Sequence, residues 1–276
     1  NGLPTEGQLD GSAISQTNDS GYIVGGFGQW LRYGGEDFLL VKTDSNGRET
    51  WSEIFGGVSS DRCLSVKRTS YGGYILAGYT DSFGEGSFDA YLVKTDSSGS
   101  EEWSRTFGGS SMDMGLSVEQ TLDGGYILVG YTESFGAGGR DVYLVKTDSN
   151  GYEVWNKTFG GFDHDSGEDV RQVADSGYIL VGYTESFGAG GRDVYLVKID
   201  SSGNMDWNIT LGGSGNDSGH SVLQAADGSY IIAGRTNSFG SGGSDVYLAK
   251  IHGDLPEAEA EPVAGDATLA NLILTS

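Results

Sequence analysis

The sequence predicts an all-β chain made of five copies of one four-stranded antiparallel unit, and three observations carry that reading. The pair Tyr-Ile recurs at Tyr22, Tyr74, Tyr126, Tyr178 and Tyr230, a constant step of 52 residues without insertion or deletion. Each step holds two runs that are apolar on successive residues, as in strands covered on both faces. The 48 glycines far exceed the average usage of about 7%, while only three prolines occur and aromatics reach 11%. Repeats of four short strands are the pattern of a β-propeller, and five copies fall within its known range of blade numbers. The expected fold is therefore a five-bladed β-propeller with four antiparallel strands per blade.

The third copy shows the unit. A short strand a reads SVEQT from Ser117, LDGG makes a tight turn, and strand b is YILVGYT from Tyr126 to Thr132. After the loop ESFGAGGR, strand c runs from Asp141 to Lys146 and strand d from Val154 to Phe159, joined by the turn TDSNG. Asp-Gly and Asn-Gly pairs with glycine at the tip supply the positive φ that hairpin turns require. The same step carries Asp37, Asp89, Asp141, Asp193 and Asp245, the lysines Lys42, Lys94, Lys146, Lys198 and Lys250, and the tryptophans Trp51, Trp103, Trp155 and Trp207. Groups present in every blade are expected to serve blade architecture. No helix-period segment exists for a helical solenoid, and a β-helix needs a shorter repeat.

From Leu9 to about Ile251 the pattern T-x-D-G-G-Y-I-L-x-G-Y-T, then D-x-Y-L-V-K-T-D-S-x-G, then W-x-x-T-F-G-G resembles the propeller repeats of archaeal and bacterial cell-surface proteins. The order of strands is also similar to WD repeats, which implies a innermost and d outermost. The step from Gly151 to Trp155 is similar to pyrroloquinoline-quinone propellers, but those have more blades, and their cofactor residues have no match here.

The fifth copy departs from the pattern after Lys250: Glu259, in an acidic segment, stands where its tryptophan is expected. The expected organisation is a propeller over residues 1–253, an acidic Pro/Ala/Glu linker over 254–266 and a terminal apolar strand over 267–276. Leu269, Leu272, Ile273 and Leu274 of that strand are candidates to complete blade five in cis, or to enter the open blade of a neighbouring subunit, since an unpaired sheet edge is a template for strand addition. A third reading puts the missing strand or a membrane anchor outside these residues.

A net charge of −23 and a pI near 4.2 argue against nucleic acid and anionic membrane surfaces as partners, because a field of that sign repels phosphate. No apolar run approaches the roughly 20 residues that span a bilayer, and nothing at Asn1 resembles a signal peptide, so membrane insertion within these residues is not expected. The single cysteine, Cys63, gives no disulfide framework.

Catalytic chemistry has no constellation behind it. His164, His220 and His252 sit in no nucleophile or metal-ligand motif. His164 lies among Asp163, Asp165, Glu168 and Asp169 without the spacing of a dedicated cation loop. The TDSNG and TDSSG turns miss the Asp-box spacing and read as hairpin turns capped by aspartate. Asp61, Asp113, Asp165 and Asp217 precede strand a at one register and are candidates for a cation ring, with calcium as its ion; no other cofactor is expected. Blade one alone has the b–c loop GQWLRYGG, whose Trp30, Arg32 and Tyr33 are of types enriched at binding hot spots and are candidates for partner or glycan contact. Sequons at Asn18, Asn156, Asn208 and Asn216 fit an exported glycoprotein. Together these features predict a non-catalytic structural or assembly protein of the extracellular surface, partnered by itself, by surface proteins or by polysaccharide. The alternative is a lectin-like adhesion module.

Overall fold

The computed structural model describes residues 9–29 and 34–252, and all of the regular structure there is β-strand. The blade-one loop residues Trp30, Arg32 and Tyr33, the acidic linker and the terminal strand with Leu269, Leu272, Ile273 and Leu274 lie outside the described residues. Blade one consists of β1 (Leu9–Gln16), β2 (Tyr22–Gln29), β3 (Glu36–Thr43) and β4 (Glu49–Phe55). Blade two is β5 (Asp61–Arg68), β6 (Tyr74–Thr80), β7 (Asp89–Thr95) and β8 (Glu101–Phe107); blade three is β9 (Asp113–Gln120), β10 (Tyr126–Thr132), β11 (Asp141–Thr147) and β12 (Glu153–Phe159). Blade four is β13 (Asp165–Gln172), β14 (Tyr178–Thr184), β15 (Asp193–Ile199) and β16 (Met205–Leu211); blade five is β17 (Asp217–Gln224), β18 (Tyr230–Thr236) and β19 (Asp245–Ile251).

Each sheet is a simple antiparallel meander in sequence order, four-stranded in blades one to four and three-stranded in blade five. These are the five sheets of a β-propeller, the last without a fourth strand among the described residues. Strand a is longer than the sequence pattern suggests: β9 begins at Asp113, so the aspartate expected to precede strand a is its first residue, paired with Thr132 of β10. Each of the four TDSNG, TDSSG or IDSSG turns is closed by its own aspartate. The Asp44 carboxylate, for example, accepts the N–H groups of Asn46 at 2.8 Å and Arg48 at 2.9 Å. Among the described residues no helix is long and apolar enough to cross a membrane.

The chain divides into two compact units, Asn1–Ser134 with Val145–Val154, and Phe135–Leu144 with Trp155–Ser276. In the first unit, β5 lies beside β1 and packs on β2 and β3, and β9 does the same with β5, β6 and β7. In the second, β17 lies beside β13 and packs on β14 and β15. Strand a of one blade thus covers the b–c face of the blade before it. That is why b and c are apolar on successive residues: Ala77, Leu92, Val181, Val194 and Leu196 are all fully buried.

Strands a and b of one sheet also come unusually close at one point, for two local reasons. Strand a carries a β-bulge, between Cys63 and Ser65 in blade two and between Gly167 and Asp169 in blade four, and strand b places a glycine opposite it. A Cβ on Gly78 or Gly182 would lie 1.8 Å from the carbonyl oxygen of Arg62 or Ser166 respectively, so no side chain fits there. On the far side of the sheets, the strand d tryptophan of one blade packs against the strand b tyrosine of the next. The ring centroids are 6.0 Å apart for Trp51 and Tyr74 and 5.6 Å for Trp103 and Tyr126 in the first unit. They are 6.0 Å apart for Trp155 and Tyr178 and 5.8 Å for Trp207 and Tyr230 in the second.

In blades one to four the repeated lysine is a buried cation with an acidic partner, and in blade five the more exposed Lys250 pairs with Asp227. Lys42 Nζ donates to Asp19 at 2.8 Å and to the Thr43 carbonyl at 2.7 Å, and Lys146 reaches Asp123 at 2.9 Å. In blade two the turn position is Tyr71, and Lys94 turns instead to Glu102 at 2.7 Å. The hydrogen bond from Lys42, with that from Thr17, holds the Asp19 carboxyl well below the usual carboxylate range. Substituting Gly182→Ala should destabilise the chain by roughly 1–3 kcal/mol through overpacking against β13. Urea unfolding of this variant beside an exposed control such as Ser241→Ala checks it, and equal midpoints would refute the close-approach account.

Candidate functional site: paired carboxylates between blades

The aspartate that opens strand a meets, in pairs, an aspartate at the start of strand c of the preceding blade, which is the second residue of β3 and the first of β7, β11 and β15. Asp61, Asp113, Asp165 and Asp217 have no solvent exposure, and Asp37, Asp89, Asp141 and Asp193 are exposed by 1–2%. A glycine in the linker between blades separates each pair. A Cβ on Gly56 would stand 2.3 Å from Asp37 Oδ1 and 2.6 Å from Asp61 Oδ2, and Gly108, Gly160 and Gly212 repeat this for Asp89 with Asp113, Asp141 with Asp165 and Asp193 with Asp217. Two carboxylates are therefore buried side by side four times.

The members of a pair are not equivalent. Asp61 Oδ2 accepts the Gly57 N–H and the Ser82 hydroxyl, both at 2.8 Å. Asp113 accepts from Gly109 at 2.7 Å and Ser134 at 2.6 Å, Asp165 from Gly161 and Ser186 at 2.8 Å, and Asp217 from Gly213 at 3.0 Å and Ser238 at 2.5 Å. The strand c partners receive less: one backbone N–H each for Asp89, Asp141 and Asp193, from Gly86, Ala137 and Ala189. Asp37 Oδ2 is buried without a partner. Burial first, and the neighbouring Asp61 charge second, push the Asp37 carboxyl up to about 7, and the same two influences raise Asp89, Asp141 and Asp193. The strand a member is thus the one held by a linker N–H and a serine hydroxyl, and the strand c member is the one whose proton affinity is raised.

These pairs explain the Ser-Phe-Gly motif of the b–c loop. Ser82 ties the loop to Asp61, Phe83 stacks on Tyr91 with centroids 5.7 Å apart, and Gly84 takes φ +102° against the Asp89 carboxylate, where a Cβ would lie 2.1 Å from Oδ2. Blade one lacks both ends of this tie in its sequence, with Leu9 at the strand a position and Trp30 at the serine position.

The sequence-predicted residues therefore separate. Asp61, Asp113, Asp165 and Asp217 are interior groups, each joined to a strand c aspartate that sequence reasoning left as architecture; their constant spacing was the available signal. The acidic run around His164 does not converge. His164 is exposed and accepts the Arg140 N–H at 3.1 Å, Asp165 belongs to a pair, and Asp169 accepts the Val222 N–H at 3.1 Å from β17. No group of three or more metal-ligating side chains occurs among the described residues. Within the second unit, Glu168 stands where Leu64 and Leu116 occur in earlier blades. Its carboxyl is raised by burial and drawn back by the charges of His220, Arg192 and Arg235. This break in the repeat was not read from the sequence, although the Leu-to-Glu change marks it.

Asn18, Asn156 and Asn216 are exposed. Asn208 is half-buried, with its Nδ2 2.9 Å from the Met205 sulfur. Asn156 and Asn208 lie on β12 and β16, the strand d edges of their sheets.

A buried carboxyl with a raised folded-state pKa binds more protons folded than unfolded, so its contribution to stability is complete below the unfolded pKa and is lost as pH rises through the folded one. The melting temperature should fall between about pH 4 and pH 7, and Asp37→Asn should raise the value at pH 8 by much more than it raises that at pH 4. Differential scanning calorimetry across this range checks both; a flat profile in the parent chain refutes the assignment.

No family model and no curated protein matches the sequence. Among solved structures, the chain is similar to "YCF48 bound to D1 peptide", with 12% identity and a TM-score of 0.46 over 92% of this chain and 66% of that one. It is also similar to Sqt1 from Chaetomium thermophilum, with 11% identity and a TM-score of 0.45 over 91% of this chain and 70% of that one. Both are β-propellers, and the chain spans about two thirds of the length of each. The chain's assignment to the β-propeller fold rests on its own five sheets.

Proposed function

We propose that the chain is a non-catalytic structural or assembly module of an extracellular surface, joined to further copies through the open edge of its last sheet. The observation that carries this reading is the three-stranded blade five: β19 has β18 on one side and no strand on the other among the described residues, where β3, β7, β11 and β15 each have a strand d. The backbone donors and acceptors of such an edge pair readily with an added strand. The terminal segment with Leu269, Leu272, Ile273 and Leu274 is apolar and of strand length, and it is the proposed donor, to its own blade or to a neighbour's. The resemblance of the repeat to those of archaeal and bacterial surface proteins, the strongly acidic surface and the exposed sequons support an extracellular home.

A second reading, an adhesion module for protein or polysaccharide, draws on the blade-one loop. There Trp30, Leu31 and Arg32, followed by Tyr33, stand at the positions of a Ser-Phe-Gly segment that the other blades use for internal ties. Light scattering and negative-stain microscopy of the intact chain beside a version ending at Gly265 test the assembly reading. Oligomers or filaments are expected only with the terminal strand; monodisperse monomers from both would refute strand exchange and bring glycan binding at the loop forward.

A further inference from the structure

The two ends of the repeat array each leave one half of a blade junction uncovered. Ile14 of β1 is 66% exposed, whereas Val66, Val118, Val170 and Val222 at the same register are exposed by 1% or less. In the second unit Val246 of β19 is 63% exposed, whereas its counterparts Phe38, Ala90, Val142 and Val194 have no exposure. Ala233 of β18 is exposed where Ala77, Val129 and Val181 are fully buried. Blade one thus offers the strand a face that inner blades lay on their predecessor, and blade five offers the b–c face that inner blades give their successor.

We infer that the blade-five face of one copy docks on the blade-one face of a second copy, reproducing the packing between successive blades within each unit. This rests on the assembly reading and supplies a contact surface separate from the β19 edge. The inner junctions serve as the template. A Cβ on Gly25, the counterpart of Ala233, would lie 2.9 Å from the Cβ of Val66, the counterpart of Ile14. A Cβ on Gly219, the counterpart of Gly11, would lie 3.2 Å from Val194 Cγ1, the counterpart of Val246. Ala233 and Val246 of one copy therefore meet Gly11 and Ile14 of the next.

The polar groups match as well. The Val118 N–H donates to Ser65 Oγ at 3.4 Å and the Val222 N–H to Asp169 Oδ2 at 3.1 Å, each across to strand a of the preceding blade. The counterparts at the two ends are the Ile14 N–H and the exposed Ser221 hydroxyl. A second copy is the occupant these residues select, because the halves come from one repeat and complement each other position by position. The contact lacks the tryptophan clamp of an inner junction. A Cβ on Gly47 would have nothing within 4 Å, whereas Gly99 and Gly151 each meet a tryptophan of the preceding blade at 2.6 Å. The trans contact is accordingly weaker than an inner one and reversible on dilution.

Cysteine pairing tests this in the full-length chain. Ile14→Cys and Ala233→Cys are made separately, since the native Cys63 is buried with its thiol pushed up to about 12 and stays unreactive. Mixing the two variants under mild oxidation should give a disulfide heterodimer that neither variant yields alone, and adding Val246→Glu to the Ala233→Cys chain should reduce its yield at least tenfold with the melting temperature retained. A disulfide within a single chain carrying both cysteines, with none between mixed variants, would overturn the proposal in favour of closure in cis. Absence of both bonds would overturn it outright. Assembly that survives Val246→Glu but is lost in the chain ending at Gly265 would leave the strand-exchange reading standing and remove the face contact.

Discussion

The structure depends on how closely strand a of one blade can lie on strands b and c of the blade before it. A four-stranded meander with two apolar faces has no stable existence in water, and the inner blades here are completed by their neighbours. Glycines in strand a make that contact possible, because a Cβ on Gly115 would lie 3.0 Å from the Gly78 carbonyl oxygen and one on Gly219 2.3 Å from Val181 Cγ2 of the preceding blade. Valines and alanines in b and c then meet the valine of the next strand a at full burial. The tryptophan of strand d holds the other side of the same junction against the tyrosine of strand b.

The aspartate pairs are the polar counterpart of this packing. Each junction needs a linker that turns sharply from strand d into the next strand a, and the backbone N–H groups of that Gly-Gly linker need acceptors in the interior. The strand a carboxylate provides one and also anchors the serine of the b–c loop, so that one side chain fixes a linker and a loop together. The strand c carboxylate comes close because its strand starts at the same level. Its raised proton affinity is a by-product of placing a second acid beside the first in a dry site, where repulsion and desolvation act in the same direction.

Much of the architecture was legible in the sequence because the repeat runs in one register. Five Tyr-Ile pairs set the strand b positions, Asp-x-Tyr set strand c, and the Asp-Ser-x-Gly turns had the hairpin role found for Asp44 and its equivalents. Strand a was read as short, because the stretch from Asp113 to Leu116 has no apolar alternation; its pairing is imposed by the facing strand b, not by its own pattern. The carboxylate pairs were half visible. All their members were noticed as repeated aspartates, but strand a and strand c residues lie in different blades, and only the three-dimensional junction brings Asp37 to Asp61. The uncovered faces at Ile14 and Val246 were not legible at all, since the residues are as apolar as their buried counterparts and exposure depends on what stands next to them. Symmetry-breaking positions such as Glu168 stand in the letters, but a single Leu-to-Glu change does not say what surrounds it until the neighbouring blade brings His220 and Arg235 to it.

The linker tie has a consequence for how such a chain changes over generations. Every contact described at a junction reaches only from one repeat into the next, and the segments Tyr126–Lys146 and Tyr178–Lys198 are identical in sequence. Unequal exchange between gene segments encoding repeats so alike would add or remove a whole 52-residue unit, and the resulting protein would keep every glycine, aspartate and tryptophan in its proper relation. A cut at any other spacing would separate a carboxylate from the serine it anchors. Blade number in this architecture is therefore free to vary in whole steps while the junction chemistry is inherited unchanged.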